Sequence, residues 1–261
     1  MLLAIDIGNT HTVVGVYDGA KLVADWRLET PTSMTSDEIG LQLTSSLRDH
    51  SLQREDIHSV GVSSVVPPLT QTYVRMVSAV FELDSVVIDG ATDLGIAIRY
   101  DDPMAVGADR LCNAVAGFAK YGGPLIIVDF GTATTFDVVA TNGDYMGGVI
   151  APGVETSAAD LHQRAARLPK VELRLPKTLI GQDTVGSMQS GILFGAIDST
   201  EGMVRRLKEA IRKQEGKVPV VIGTGGFSAF ISEHSSCLDH REPHLVLEGV
   251  RLICERTTEK R

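Results

Sequence analysis

Leu125-Ile-Ile-Val-Asp129-Phe-Gly131-Thr132-Ala-Thr134-Thr135-Phe-Asp137 is a short apolar run that ends in Asp-x-Gly and a cluster of hydroxyl side chains. The chain opens on the same pattern: Met1-Leu-Leu-Ala-Ile-Asp6-Ile-Gly8-Asn9-Thr10-His11-Thr12-Val13-Val14. A second apolar stretch follows each, and then a hairpin signal, Asp18-Gly19 in one case and Asn142-Gly143 in the other. One such pattern is a buried strand with a hairpin. Two of them, about half a chain apart, predict a duplicated domain with a site in the cleft between the copies.

Outward from these two hairpins the elements fall into order. Residues 2–7 and 12–17 read as strands, and Lys21–Glu29 as a third with Leu22, Ala24, Trp26 and Leu28 on one face. Thr35-x-x-Glu38 is a capping box before a helix carrying Ile39, Leu43 and Leu47. A β-branched run at Ile57–Val66 stops at Pro67-Pro68, a helix is expected over Leu69–Phe81 and a strand over Ser85–Asp89. The order βββ-α-β-α-β is that of a ribonuclease-H-like half. A helix over Leu111–Tyr121 leads through Gly122-Gly123-Pro124 to the second copy, whose third strand lies near Tyr145–Ile150. Beyond it the pattern predicts a helix from Glu155 to Arg167 and another over Ile192–Gln214, with Met203, Val204, Leu207 and Ile211 as its apolar stripe. A buried strand at Lys217–Ile222 is expected to precede the turn Gly223-Thr-Gly-Gly226. A closing helix follows at Leu245–Cys254, with a frayed charged tail from Glu255. The fold class is therefore α/β, two duplicated ribonuclease-H-like (actin-like ATPase) domains at 1–120 and 121–261, each a mixed five-stranded sheet with helices.

Composition narrows the function. The 261 residues are 43% hydrophobic and 22% charged, enough for a large core. A net charge of −9 argues against a general nucleic-acid binder, which would carry a basic face, but not against a phosphate held locally by backbone amides. Cys112, Cys237 and Cys254 are odd in number and have no CxxC spacing, so they read as packing residues in a reducing compartment. No apolar run approaches the roughly 20 residues that span a bilayer. Asp6 interrupts the first apolar stretch, which also lacks a basic flank, so a signal peptide is not expected and the cytoplasm is.

Asp-x-Gly followed by hydroxyls has a definite chemical use. The Asp at a strand end can hold a cation or its water, and the Gly lets a phosphate approach the backbone. Asn9, Thr10 and Thr12, and Thr132, Thr134 and Thr135, supply donors. The turn at Gly223–Gly226 is ambiguous alone: it lacks the full dinucleotide fingerprint and could be a plain turn, whereas in a duplicated Asp-x-Gly protein an adenosine would lie there. Asp129-Phe-Gly131 spells a protein-kinase motif without the other kinase signatures, and no GxxxxGK[ST] loop is present. The histidines show no metal-binding spacing. Asp109, beside Arg110 at a helix start, is the candidate base. Its ordinary pKa near 4 suffices in phosphoryl transfer, where the hydroxyl proton leaves late. The alternative is that Asp109 caps the helix and pairs with Arg110.

Asp6-Ile-Gly-Asn-Thr10, Ser64-Val-Val-Pro67, Gly107-Ala-Asp-Arg110, Asp129-Phe-Gly-Thr-Ala133, Gly147-Gly148 with Pro152-Gly153, Thr224-Gly-Gly226 and Leu247-Glu-Gly249-Val-Arg-Leu252 together resemble the type III pantothenate kinases. That family belongs to the acetate kinase/sugar kinase/Hsp70/actin superfamily. The resemblance covers nearly the whole chain. It implies ATP-dependent phosphorylation of pantothenate to 4'-phosphopantothenate, the first step of coenzyme A synthesis, in a homodimer that uses Mg2+ with ATP and a monovalent cation, K+ or NH4+. By position it implies that Asp6, Ile7, Gly8, Asn9, Thr10, His11, Thr12 and Val13 bind ATP, with Asp6 placing the Mg2+. Thr132 also meets the nucleotide, and Asp129 is the monovalent-cation ligand. Tyr100, Gly107, Ala108, Asp109, Arg110 and Thr184 form the pantothenate site, with Asp109 as proton acceptor and Thr184 contributed by the partner subunit. The departures are small: Ala105 stands where the family often has an acidic residue, and His11 where other polar residues are common. Two alternatives share these residues, a non-catalytic relative in a transcriptional accessory role and a kinase for another small hydroxy acid or sugar. Intact Asp6, Asp109, Arg110 and Asp129 weigh against the first.

Overall fold

The first sheet grows around a strand that is buried on both faces. In the computed structural model, which describes residues 1–30 and 33–258, β1 (Leu2–Ile7) pairs antiparallel with β2 (His11–Asp18), which pairs antiparallel with β3 (Lys21–Glu29). The capping box forms as expected, Thr35 and Glu38 closing the start of α1 (Ser36–Asp49). β4 (Ser59–Ser64) then pairs parallel with β1. α2 (Pro67–Phe81) begins two residues earlier than expected, because Pro67 and Pro68 open the helix as well as end the preceding strand. A proline costs nothing in the first turn, whose N–H groups have no intrahelical partner. β5 (Ser85–Val87) completes the sheet in the order β3-β2-β1-β4-β5, two residues shorter than expected, and α3 (Ala108–Tyr121) follows.

The two faces of this sheet pack differently. Leu3, Ile5, Ile7, Val14, Val16, Val60 and Val62 meet Ile39, Leu43 and Leu47 of α1 and Leu69, Tyr73, Met76 and Val77 of α2. Apolar burial on this scale, at about 25 cal/mol per Å², is the main drive for the layer. The opposite face is lined by small residues, since Gly15 and Gly61 sit against Leu247, Val250 and Cys254 of the last helix, α7 (Leu245–Thr258). α7 thus belongs to the first unit, Met1–Lys120 with Leu245–Arg261, and the second unit is Tyr121–His244. The second domain was expected to run to 261; its last helix instead packs on β1 and β4, because Leu247, Val250 and Cys254 find their apolar partners there. The expected frayed tail is also helical through Thr258, where Arg256 bonds Asp93 at 3.2 Å and Arg251 bonds Glu255 at 2.7 Å.

The second unit repeats the plan. β6 (Leu125–Phe130), β7 (Ala133–Val139) and β8 (Tyr145–Pro152) form the antiparallel meander, β9 (Val220–Gly225) pairs parallel with β6, and β10 (His240–Arg241) pairs parallel with β9. The order β8-β7-β6-β9-β10 matches the first sheet strand for strand. Even the irregularities correspond: the ladder slips at Val16/Tyr17 in one sheet and at Val138/Val139 in the other. This is a duplicated ribonuclease-H-like architecture.

The helices of this unit depart more from expectation. α4 spans Val154–Arg164, three residues short of the expected Arg167. α5 runs unbroken from Thr184 to Glu215, eight residues earlier than expected. Asp183 caps the helix by accepting from Gly186 N at 2.7 Å, and Gly186 and Gly191 lie inside it. Val204 and Ile211 of its stripe are buried against Ile126, Val128, Phe130, Phe136 and Val221, with Met203 and Leu207 alongside. Pro219 delays the last long strand, so Gly223-Thr-Gly225 is part of β9 rather than a turn after it. α6 (Ser228–His234) and the two-residue β10 had no clear periodic signal. Among the described residues no helix is long and apolar enough to cross a membrane.

Close backbone approach makes one glycine essential in the first unit. A Cβ at Gly249 of α7 would lie 2.1 Å from the Cys112 carbonyl oxygen of α3. Gly249→Ala is expected to destabilise the protein by about 2 kcal/mol or more, as overpacking against fixed backbone does. Gly202→Ala, inside α5 with nothing within 4 Å of the new Cβ, should instead stabilise by roughly 0.5–1 kcal/mol. Denaturant unfolding of both variants checks the pair.

Candidate active site

Asp6 is the penultimate residue of β1, and the parallel ladder sets it opposite Ser63 of β4. The Ser63 hydroxyl donates to Asp6 Oδ1 at 2.8 Å. After Asp6 the chain folds into a tight hairpin. Gly8 N donates to the His11 carbonyl at 3.0 Å, and Thr30 Oγ1 donates to the Gly8 carbonyl at 2.7 Å. Thr12, fully buried, shares a hydrogen bond with Thr30 at 3.0 Å. Ile7, Asn9, Thr10 and Val13 complete the loop and its flanks, with Asn9 and Thr10 exposed at the tip. A rigid, glycine-containing hairpin with exposed backbone at its tip suits phosphate oxygens.

Asp109 comes from the non-repeated segment ahead of the second copy. It sits in the first turn of α3, after Gly107 and Ala108, and its Oδ1 accepts from Arg110 N at 2.7 Å. A Cβ at Gly107 would meet that same Oδ1 at 2.5 Å, so only glycine lets the carboxylate fold back over the helix start. Burial pushes the Asp109 carboxyl above the usual carboxylate range, while the Arg110 backbone N–H and then its charge pull it back. The capping alternative is thus half realised: the carboxylate does take a first-turn amide, and Arg110 beside it is itself buried. Cys112, one turn on, is fully buried. Burial first, then the charges of Asp6 and Asp109, hold its thiol well above the usual range. Asp6, Ser63, Cys112 and Asp109 therefore converge in the first unit. Tyr100 lies in the loop before them, 39% exposed, just ahead of a 3-10 turn that Asp102 caps.

In the second unit the corresponding hairpin is one residue shorter. Asp129 pairs with Thr135, six residues on, where Asp6 pairs with Val13, seven on. Gly131 N donates to the Ala133 carbonyl at 3.0 Å, and the Thr132 carbonyl accepts from Thr156 Oγ1 at 2.6 Å. The ladder puts Thr224 opposite Asp129, the position that Ser63 occupies opposite Asp6. A Cβ at Gly225 would reach within 2.5 Å of Asp129 Oδ1, so the Thr224-Gly225 segment lies directly on this carboxylate. Thr184 opens α5 at the rim of a cavity of about 920 Å³, lined by Phe130, Thr134, Phe136, Pro152 and Met188 among others. Asp129 and Thr132 share the hairpin, whereas Thr184 lines the cavity that Phe130 and Thr134 of that hairpin also border. Ser63 was not picked out in the sequence, and Thr224 only as part of the Gly223–Gly226 turn, because their partnership with the Asp residues depends on strand register. Among the described residues no cluster of His, Cys, Asp or Glu could form a protein-only metal cage. A single carboxylate beside a phosphate-binding hairpin fits Mg2+ that arrives with a nucleotide and keeps its waters.

A family model described as type III pantothenate kinase matches residues 2–206. The chain belongs to the type III pantothenate kinase family. Relatives of that name from Geobacillus kaustophilus and Geobacillus thermodenitrificans are each 44% identical over 262 residues, covering all of this chain and all of theirs. Among solved structures, a conserved Baf family protein from Campylobacter jejuni matches with a TM-score of 0.61 at 15% identity, covering 98% of this chain and 99% of its own. A ROK hexokinase from Thermus thermophilus matches at 0.55 and 13%, covering 100% and 99%. At such identities the two structures speak for the fold alone, and they agree with its duplicated plan.

The raised carboxyl of Asp109 has a thermodynamic signature. The folded protein holds this proton more tightly than the unfolded chain, so stability falls as pH rises from the ordinary carboxylate pKa of about 4 through the higher folded value. Asp109→Asn should therefore raise Tm at neutral pH, and the gain should vanish below about pH 4, where the wild-type carboxyl is protonated in both states. Calorimetry of both proteins across that range measures it.

Proposed function

We propose that the protein transfers the γ-phosphate of ATP to the hydroxyl of pantothenate, with Asp109 as the proton acceptor. The observation that carries this reading is the family match over residues 2–206, in a chain that keeps Asp6 at the end of β1 and holds Asp109 over the start of α3. Residues 6–13 hold the ATP phosphates through backbone amides and hydroxyls, and Asp6 takes the Mg2+ that comes with ATP. Mg2+ supplies charge neutralisation at the phosphates when bound. Thr132 contacts the nucleotide. Tyr100, Gly107, Ala108, Arg110 and Thr184 hold pantothenate, Thr184 from the partner subunit of a homodimer.

Asp109 takes the hydroxyl proton as the phosphoryl group moves. In a loose transition state little basicity is needed, so correct placement matters more than pKa. The helix start that accepts its carboxylate fixes that placement. Asp129 provides a carboxylate for K+ or NH4+. The enzyme works in the cytoplasm, without nucleic acid or membrane as partner.

The decisive assay supplies ATP and Mg2+ to the purified protein with pantothenate and, separately, with a panel of other hydroxy acids and sugars. Phosphopantothenate as the dominant product supports the reading, and a preferred sugar overturns it. Turnover should require K+ or NH4+ and be weak in Na+. Equal rates in the three salts would remove the role given to Asp129. Because Asp109 must be ionised to accept a proton, kcat/KM should fall on the acid side through a pKa above the ordinary carboxylate range. A pH–rate profile flat down to pH 4 would contradict that assignment.

A further inference from the structure

The two sheets place a hydroxyl at the same ladder position beside each Asp of the Asp-x-Gly hairpins: Ser63 opposite Asp6, and Thr224 opposite Asp129. Both hydroxyl residues are buried, Ser63 at 0% exposure and Thr224 at 2%. Fully buried hydroxyls at matching positions of a repeat, each among buried apolar and glycine neighbours, call for a reason. A valine would satisfy such a strand better, unless the hydroxyl has a partner that matters.

We propose that Ser63 is a positioning residue for the kinase reaction, fixing the Asp6 carboxylate for the Mg2+ that accompanies ATP. Its Oγ donates to Asp6 Oδ1 at 2.8 Å, a charge-assisted bond in a dry setting. Ser63 is fully buried, so no solvent competes for that hydroxyl. The Ser63 hydroxyl thus holds one carboxylate oxygen and orients the plane of the group. A metal bound through a protein carboxylate depends on such support to fix the ligand's angle.

This inference rests on the reading of Asp6 as the residue that meets the ATP-bound Mg2+, and the experiment separates the two. ATP affinity is measured by calorimetry, without pantothenate, once with Mg2+ and once with EDTA. The ratio of the two dissociation constants reports the metal's share of binding. Four variants are compared with wild type: Asp6→Asn, Ser63→Ala, Ser63→Cys and Ser63→Thr. Asp6→Asn should abolish most of the ratio. Ser63→Ala should reduce it about tenfold, the order expected for a hydrogen bond to a charged group, with affinity in EDTA unchanged. Ser63→Thr, the residue the second sheet carries at this position, should restore it, and Ser63→Cys, a similar-sized weaker donor, should fall between. Unchanged affinity in EDTA shows that each variant is folded, and the Cys and Thr variants carry the test if the Ala variant is not. A wild-type ratio in the Ser63 variants alongside its loss in Asp6→Asn overturns the role of Ser63. A wild-type ratio in Asp6→Asn overturns the reading of Asp6 beneath it.

Discussion

Parallel pairing of the central strand with its neighbour is the constraint on which each half of this protein depends. In the first sheet β1 and β4 lie in register, in the second β6 and β9 do, and in both the strand carrying the Asp has an antiparallel partner on its other side. That places the strand in the middle of a sheet, where its apolar residues are covered and its backbone groups are paired. It also fixes where the carboxylate emerges. Asp6 and Asp129 stand at the same point of equivalent ladders, each with a hydroxyl residue opposite and a glycine two residues on.

From this shared frame the copies have diverged. The first hairpin has one residue more, and the tip of its turn is held by Thr12 and Thr30 behind it. The second is shorter, leans on the Gly153 and Thr156 segment at the start of α4, and is met by Gly225. The second unit also inserts a long connection between β8 and β9, containing α4 and the 32-residue α5, where the first has only α1 and a short turn. Thr184 lies in that insertion, and the cavity lies between its helices and β6, β7 and β8. Asp109 lies in neither repeat hairpin. It belongs to the helix that ends the first half, and Gly107 makes room for its carboxylate. In the proposed mechanism the repeat supplies scaffolds for nucleotide phosphates and cations, and the unrepeated segment supplies the reacting side chain.

Much of this was legible in the sequence because it rests on local signals. Alternation and the Asp18-Gly19 and Asn142-Gly143 turns marked the meanders, and Thr35 and Glu38 marked α1. What escaped depended on distant partners or overridden propensity. The helix expected from Ile192 starts at Thr184, because the Asp183 cap and the apolar stripe further along carry it through Gly186 and Gly191, which favour helix poorly. Nothing local in Leu245–Thr258 says which sheet it covers; the small residues Gly15 and Gly61 decide that from across the chain. Ser63 was invisible for the same reason, since Ser63 and Ser64 differ only in which side of the strand they face, and register chooses between them.

The central claim is a division of labour between a repeated scaffold that binds and an unrepeated carboxylate that reacts. It is tested most directly by measuring ATP binding and pantothenate-dependent turnover together in Asp109→Asn. The account predicts nearly wild-type affinity for Mg2+ and ATP with turnover abolished. Near-wild-type turnover, or loss of nucleotide binding in step with activity, would contradict it.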